Sequence, residues 1–225
     1  MNLKQQAAEA AVARVTSGMR LGLGSGSTVQ YVLEALAQRL QQGDLHDIVG
    51  VPTSETTHRE ATRLGIALTT LDEQTELNLT IDGADEVSPD LNLIKGLGGA
   101  LLREKIVAAA SNDLFIVVDA SKQVEQLGLR APLPVEVMTF GWKTHLGLLE
   151  HLGATPALRL GANNQPYVTD NGNLILDCTF ANGIQDPYEL AQQLDAQPGV
   201  VGHGLFLGMT SAVFVGTPEE VVVLE

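Results

Sequence analysis

Short apolar runs alternate with stretches of helical periodicity through the first half of the chain. Residues 19–23, 48–51, 77–81 and 114–118 are apolar runs of strand length. Val29, Val32, Leu33, Leu36 and Leu40 recur at helical spacing as far as Gly43, a residue that readily stops a helix. Strand and helix in alternation predict a parallel sheet covered on both faces. In such sheets ligands sit beyond the carboxyl ends of the strands.

The pattern changes from about residue 130 onward, where Pro132 and Pro134 mark the crossing. A strand over 133–138, a helix over 140–152 and a strand over 157–160 are predicted next. Asn171-Gly172 signals a hairpin turn whose second arm is 173–179. Asp186, Pro187 and Glu189 fit the N-cap, first-turn proline and N3 acid of a helix start. A strand over 200–207 completes β-α-β-β-α-β, the split, ferredoxin-like order. The expected fold is α/β: a Rossmann-like parallel-sheet domain with helices on both faces, plus a smaller α+β ferredoxin-like domain. The first is assigned 1–129 and 207–225, the second 130–206. Pattern alone does not decide whether the tail strands 212–215 and 221–224 rejoin the first domain or extend the second.

At 225 residues the chain is long enough to bury a substantial core without covalent staples. Cys178 is the single cysteine, so no intrachain disulfide can form. Residues 1–19 are alanine-rich and amphipathic, with charges at Lys4, Glu9 and Arg14 and no continuous apolar stretch. That is neither a signal peptide nor a membrane span, and a soluble cytoplasmic protein is expected. Acidic residues outnumber basic ones by 27 to 13, a formal net charge of -14. Such a surface repels a nucleic-acid backbone. A small anionic substrate needs a local group of donors that reverses the field, which makes the scarce lysines informative. For most of the acidic residues, solubility is a sufficient explanation.

Four segments carry candidate chemistry. Gly22-Leu23-Gly24-Ser25-Gly26-Ser27-Thr28 joins a strand to a helix. It fails the dinucleotide spacing, because Ser27 and Val29 occupy the third-glycine places, and the Walker spacing, because Gly26 stands where Lys is needed. What remains is a small-residue loop whose N–H groups and hydroxyls suit a phosphate at a helix start. Val51-Pro52-Thr53-Ser54 repeats the theme after another strand, and there N-capping is at least as good an explanation. Asp82-Gly83-Ala84-Asp85 sets two carboxylates, with Glu86 adjacent, at a strand's carboxyl end, ten residues before Lys95. Turn chemistry accounts for one aspartate; a charge cluster in a cleft marks function more often, and magnesium is a rival reading for paired carboxylates. Residues 94–105, IKGLGGALLREK, place a lysine, free backbone N–H groups and Glu104 in one short stretch, the parts needed to move a proton beside a carbonyl. Glycine in a turn and a solvated helix glutamate are the bland alternatives. The five histidines, His46, His58, His145, His151 and His203, are scattered and read as no zinc site, and Cys178 reads as a buried strand residue.

Taken together, GLGSGSTV, GVPTS, DGADEV and KGLGGALLREK, in this order and spacing, closely resemble the type A ribose-5-phosphate isomerase family. LPVEV, LILDC and PGVVGHGLF look like the same family, so the resemblance covers nearly the whole length. The family usually shows four successive glycines in the lysine loop; here Leu97 takes one of those places. The resemblance implies interconversion of D-ribose 5-phosphate and D-ribulose 5-phosphate in the non-oxidative pentose phosphate pathway. It implies Glu104 as catalytic base, Lys95 as helper, and Asp82 and Asp85 on sugar hydroxyls or proton movement. Ser25, Gly26, Ser27 and Thr28 would form part of the substrate and phosphate site. Gly83, Ala84, Gly96, Leu97, Gly98 and Gly99 would line the substrate, and Lys122 would approach it. Neither metal nor cofactor is implied, and the expected assembly is a homodimer or a larger homo-oligomer, with no nucleic-acid or membrane partner.

The residues suit that chemistry. The C1 carbonyl of an open-chain aldose acidifies the proton on C2; one carboxylate can remove it to give a cis-enediolate and return a proton to C1. Lys95 and the N–H groups near Gly98 and Gly99 would stabilise the transient oxyanion. The competing readings are a sugar-phosphate deaminase or lactonase, which would be expected to use a site histidine, and a non-catalytic sugar-phosphate sensor, which has no need of Glu104.

Overall fold

The computed structural model describes residues 2–225. In chain order its elements are α1 (Leu3–Val12), β1 (Arg20–Leu23), α2 (Ser27–Gln42), β2 (Val49–Pro52), α3 (Glu55–Arg63), β3 (Leu77–Asp82), β4 (Glu86–Val87) and β5 (Leu93–Ile94). There follow α4 (Leu101–Ala109), β6 (Ser111–Asp119), β7 (Leu133–Val137), α5 (Thr144–His151), β8 (Thr155–Leu158) and β9 (Leu174–Thr179). The chain closes with α6 (Pro187–Asp195), β10 (Val200–His203), β11 (Leu205–Phe206), β12 (Ala212–Gly216) and β13 (Val221–Leu224). Among the described residues no helix is long and apolar enough to cross a membrane.

Two compact units result. The first comprises residues 1–84, 103–122 and 208–225, the second residues 85–102 and 123–207.

The first unit is built on a six-stranded sheet of order β13-β12-β6-β3-β1-β2. Its strands pair in parallel except β13, which runs antiparallel to β12 at one edge. α2 has the expected periodicity: Val29, Val32, Leu33 and Leu36 are buried, and Gly43 ends the helix in the left-handed conformation. Each such side chain contributes about 1.5–3 kcal/mol by leaving water, which fixes the helix on the sheet more firmly than its intrinsic propensity could. With Leu21, Leu23, Leu79, Ile81, Val117 and Phe214 these residues form the core of this unit. The tail question is settled by pairing, since β12 lies against β6 over Ala212–Gly216.

The second unit contains a four-stranded antiparallel sheet of order β10-β7-β9-β8 with α5 and α6, the strand order of a ferredoxin-like fold. Asp186 caps α6 as expected, its carboxylate accepting the N–H groups of Tyr188 and Glu189. α5 starts at Thr144, later than the expected 140, and β8 spans Thr155–Leu158 rather than 157–160. A larger correction concerns 200–207, expected as one strand. The chain divides it at Gly204 into β10, paired with β7, and β11, paired with β5 in a separate three-stranded sheet β11-β5-β4. Gly204 makes the crossing possible: its carbonyl accepts the Lys95 N–H, its own N–H donates to Pro134, and a Cβ there would overlap the Lys95 carbonyl.

The expected boundaries also need correction. Residues 85–102 and 123–129 fall in the second unit, not in the parallel-sheet domain of 1–129. β4 and β5 form a hairpin that pairs with β11, and Glu86 ties that hairpin to the following loop. Its buried carboxylate accepts the N–H groups of Gly128 at 2.6 Å, Arg130 at 2.6 Å and Ala131 at 2.7 Å.

Candidate active site

In the first unit the β1–α2 loop carries Ser25, Gly26, Ser27 and Thr28. Gly26 is the N-cap of α2 with φ 95°, and no side chain caps the helix. The first turn's backbone donors thus have no side-chain cap, an arrangement in which the dipole of a helix start favours an anion. Gly26 and Ser27 are exposed and Thr28 is half-buried. Ser25 differs from its neighbours, because its hydroxyl lies 2.8 Å from those of both Thr53 and Ser54. These two bonds anchor the loop to the β2–α3 connection, where Ser54 caps α3 by accepting the Thr57 N–H at 3.1 Å. N-capping is thus the role the structure gives the VPTS segment.

Asp82 ends β3 and is 1% exposed. Its Oδ1 accepts the N–H of Ser25 at 3.0 Å and of Gly83 at 2.7 Å, so the aspartate shapes the β1–α2 loop. A Cβ at Gly24 would overlap the Asp82 carboxylate, which explains the glycine there. Gly83 and Ala84 follow as half-buried loop residues.

Glu104 sits on α4 at 4% exposure. Ala100 and Ala108, one turn before and after it, are buried too, whereas Ile106 on another face is 50% exposed. A glutamate that faced bulk water would be a surface residue; this one has its carboxylate inside the protein, on a face kept free of bulk by alanine.

Lys122 closes the short helical turn after β6 and is half-buried. Asp119 beside it is pushed up by burial but held below the usual carboxylate range by hydrogen bonds from Ser121 and the ammonium groups of Lys4 and Lys122. In the sequence Lys4 reads only as one charge of the amphipathic N-terminal stretch. It lies on α1, and its Nζ is 3.4 Å from the Ser27 hydroxyl. Lys4 therefore brings a cation to the start of α2 in a chain whose net charge is -14, a local reversal of field of the kind an anionic ligand requires.

The remaining candidate residues belong to the second unit. Lys95, at the end of the β4–β5 hairpin, is 3% exposed, with its ammonium 5.3 Å from the centre of the Phe206 ring. Asp85 opens the same hairpin, its N–H donating to the Ile94 carbonyl and its Oδ2 accepting the Leu97 N–H at 2.9 Å. Gly96 and Gly99 have φ of 104° and 84°, a region that side chains avoid. Leu97 needs no such freedom; its side chain is 42% exposed and its N–H is engaged by Asp85, so a leucine fits in this glycine-rich loop. The expected pair of oxyanion donors requires one correction: the Gly99 N–H closes a turn onto the Gly96 carbonyl at 3.0 Å. Gly98 remains as the loop's candidate donor. Cys178 is fully buried on β9, and burial, helped by the charge of Asp177, pushes its thiol up to about 12, as suits a packing residue.

The sequence model of the ribose 5-phosphate isomerase A (phosphoriboisomerase A) family matches residues 49–220. A protein named ribose-5-phosphate isomerase A from Roseiflexus castenholzii is 54% identical over 222 residues, covering 99% of this chain and 94% of that one. One from Bacillus mycoides is 48% identical, with 96% of each chain covered. Among solved structures, ribose 5-phosphate isomerase A from Methanocaldococcus jannaschii superposes with a TM-score of 0.94 at 39% identity, over 99% of this chain and 98% of that one. A D-ribose-5-phosphate isomerase in complex with phospho-erythronic acid reaches a TM-score of 0.96 at 39% identity, with all of both chains covered.

Proposed function

The chain belongs to the ribose 5-phosphate isomerase A family, and from that membership we propose that it interconverts D-ribose 5-phosphate and D-ribulose 5-phosphate. Glu104 is the base. It takes the proton from C2 of the open-chain aldose, the C–H electron pair moves to form the enediolate, and the same carboxylic acid returns a proton to C1. A second proton passes from O2 to O1, a transfer suited to the carboxylates of Asp82 and Asp85. Lys95 and the Gly98 N–H offset the charge on the enediolate oxygen, each well-placed donor contributing about 3 kcal/mol. The start of α2, with Ser27, Thr28, Lys4 and Lys122, holds the phosphate away from the reacting carbons and so fixes the chain for proton transfer.

The observation that carries the base assignment is the burial of Glu104 on an alanine-lined helix face. Phospho-erythronic acid, bound by a relative, is expected to bind here as well, since it offers a phosphate and a carboxylate in one short chain. The protein is expected to act in the cytoplasm as a homodimer or larger homo-oligomer.

Incubation with ribose 5-phosphate in the presence of EDTA, followed by assay of ketose, tests the reading. Ketose formation is the expected result. Its absence in the folded protein would leave the sensor, deaminase and lactonase readings standing in its place.

A further inference from the structure

We propose that Arg159 is a positioning residue for the isomerisation, setting the peptide planes of the Gly96–Gly99 loop so that the Gly98 N–H is presented to the enediolate oxygen. This inference rests on the isomerase reading above. Arg159 follows β8 and is fixed by Asp177 of β9 through a two-pronged ion pair, Nε to Oδ2 at 2.9 Å and Nη2 to Oδ1 at 2.5 Å. Both side chains are largely removed from solvent, at 11% and 24% exposure. The remaining nitrogen, Nη1, donates to the Gly96 carbonyl at 2.9 Å and the Leu97 carbonyl at 3.1 Å. Tyr167 extends the row: its ring lies 5.8 Å from the guanidinium carbon and its hydroxyl donates to the Gly98 carbonyl at 3.5 Å.

Three successive carbonyls are thus drawn to one side. In a trans peptide the C=O of one residue and the N–H of the next point in opposite directions. Drawing the Gly96 carbonyl to Arg159 sends the Leu97 N–H the other way, where Asp85 accepts it. Drawing the Leu97 carbonyl there does the same for the Gly98 N–H, which has no partner among the described residues. Gly99 is locked beneath, since a Cβ there would overlap the Tyr167 hydroxyl. Only a planar fork can hold a carboxylate with two nitrogens and two carbonyls with a third; an ammonium cannot.

The test uses the full chain with Arg159→Lys and Arg159→Ala. Turnover should fall about 10- to 100-fold, up to the range for loss of one oxyanion donor, with KM within about threefold because Arg159 does not hold substrate. Affinity for phospho-erythronic acid should fall with turnover while affinity for inorganic phosphate stays unchanged, and added guanidinium should restore part of the turnover of Arg159→Ala. Unchanged turnover, or a raised KM at full turnover, overturns the proposal. If the alanine variant does not fold, the lysine variant decides. The wild-type protein gives an independent reading: the amide proton of Gly98 should shift downfield in NMR spectra on binding phospho-erythronic acid, and a stationary resonance also overturns it. An inactive wild-type enzyme would remove the isomerase reading itself, whereas an active wild type with unaffected Arg159 variants removes only this inference.

Discussion

The ammonium group of Lys4 lies 3.4 Å from the hydroxyl of Ser27, although 23 residues separate them. The first helix of the chain thereby brings a cation to the start of the second, whose N-cap is a glycine with no side-chain cap. Lys4→Ala should raise KM for ribose 5-phosphate about 10- to 150-fold, the worth of roughly 1.5–3 kcal/mol for a hydrogen bond to a charged group, with turnover nearly retained. Steady-state kinetics at low and high salt check this, since the wild-type advantage should shrink as salt screens the ammonium. An unchanged KM would show that Lys4 serves only to pack α1.

Glu104→Gln keeps the size and burial of the side chain and removes its ability to take a proton. Turnover should fall by about two to four orders of magnitude, the usual range for a general base, with KM changed by a few fold. Exchange of the C2 proton with deuterated solvent should be lost in parallel. A variant that still turned over at wild-type rate would assign the proton transfer elsewhere.

The proposed mechanism gives Lys95 and Lys122 different tasks. Lys95→Ala should depress turnover more than KM, and Lys122→Ala should do the reverse. Comparing kcat and KM of the two variants checks it; equal patterns would remove Lys95 as the oxyanion partner.

Glu86 is a stability residue. Its carboxylate is buried and accepts three backbone N–H groups from the 128–131 loop. Glu86→Ala strands those donors, each at a cost of about 1–3 kcal/mol when buried, and a loss of at least about 3 kcal/mol in urea unfolding is expected. A loss under about 1 kcal/mol would mean that water replaces the carboxylate.

Cys178 gives a prediction in pH. Its thiol is pushed up to about 12 by burial, while an unfolded cysteine ionises near about 8.5. Below about 8.5 both states carry the proton and this group leaves stability level. As pH rises from there towards 12 only the unfolded state ionises, so stability falls across that window. Cys178→Ser or Cys178→Ala should flatten part of that fall in denaturant titrations, and the native thiol should react with a disulfide reagent at pH 8 only at the rate of unfolding.

Much of this protein was written locally. The periodicity of Val29, Val32, Leu33 and Leu36 placed α2, the cap at Asp186 placed α6, and the motif segments placed Asp82, Lys95 and Glu104, because each signal depends on residues a turn or two apart. An apolar face announces that it must be buried, and a glycine that a tight conformation is allowed. Other features depended on partners that no local pattern names. Residues 200–207 read as one strand, since nothing in their alternation shows that Gly204 passes against Lys95 and hands the chain to a second sheet. The allegiance of 85–102 is set by pairing of β5 with β11, more than a hundred residues on. Lys4 and Arg159 look like ordinary surface cations until the fold sets one beside Ser27 and the other under the carbonyls of Gly96 and Leu97. The reason is physical: sequence periodicity records which side of an element leaves water, whereas a hydrogen bond between distant segments exists only after the intervening chain has been folded around a core.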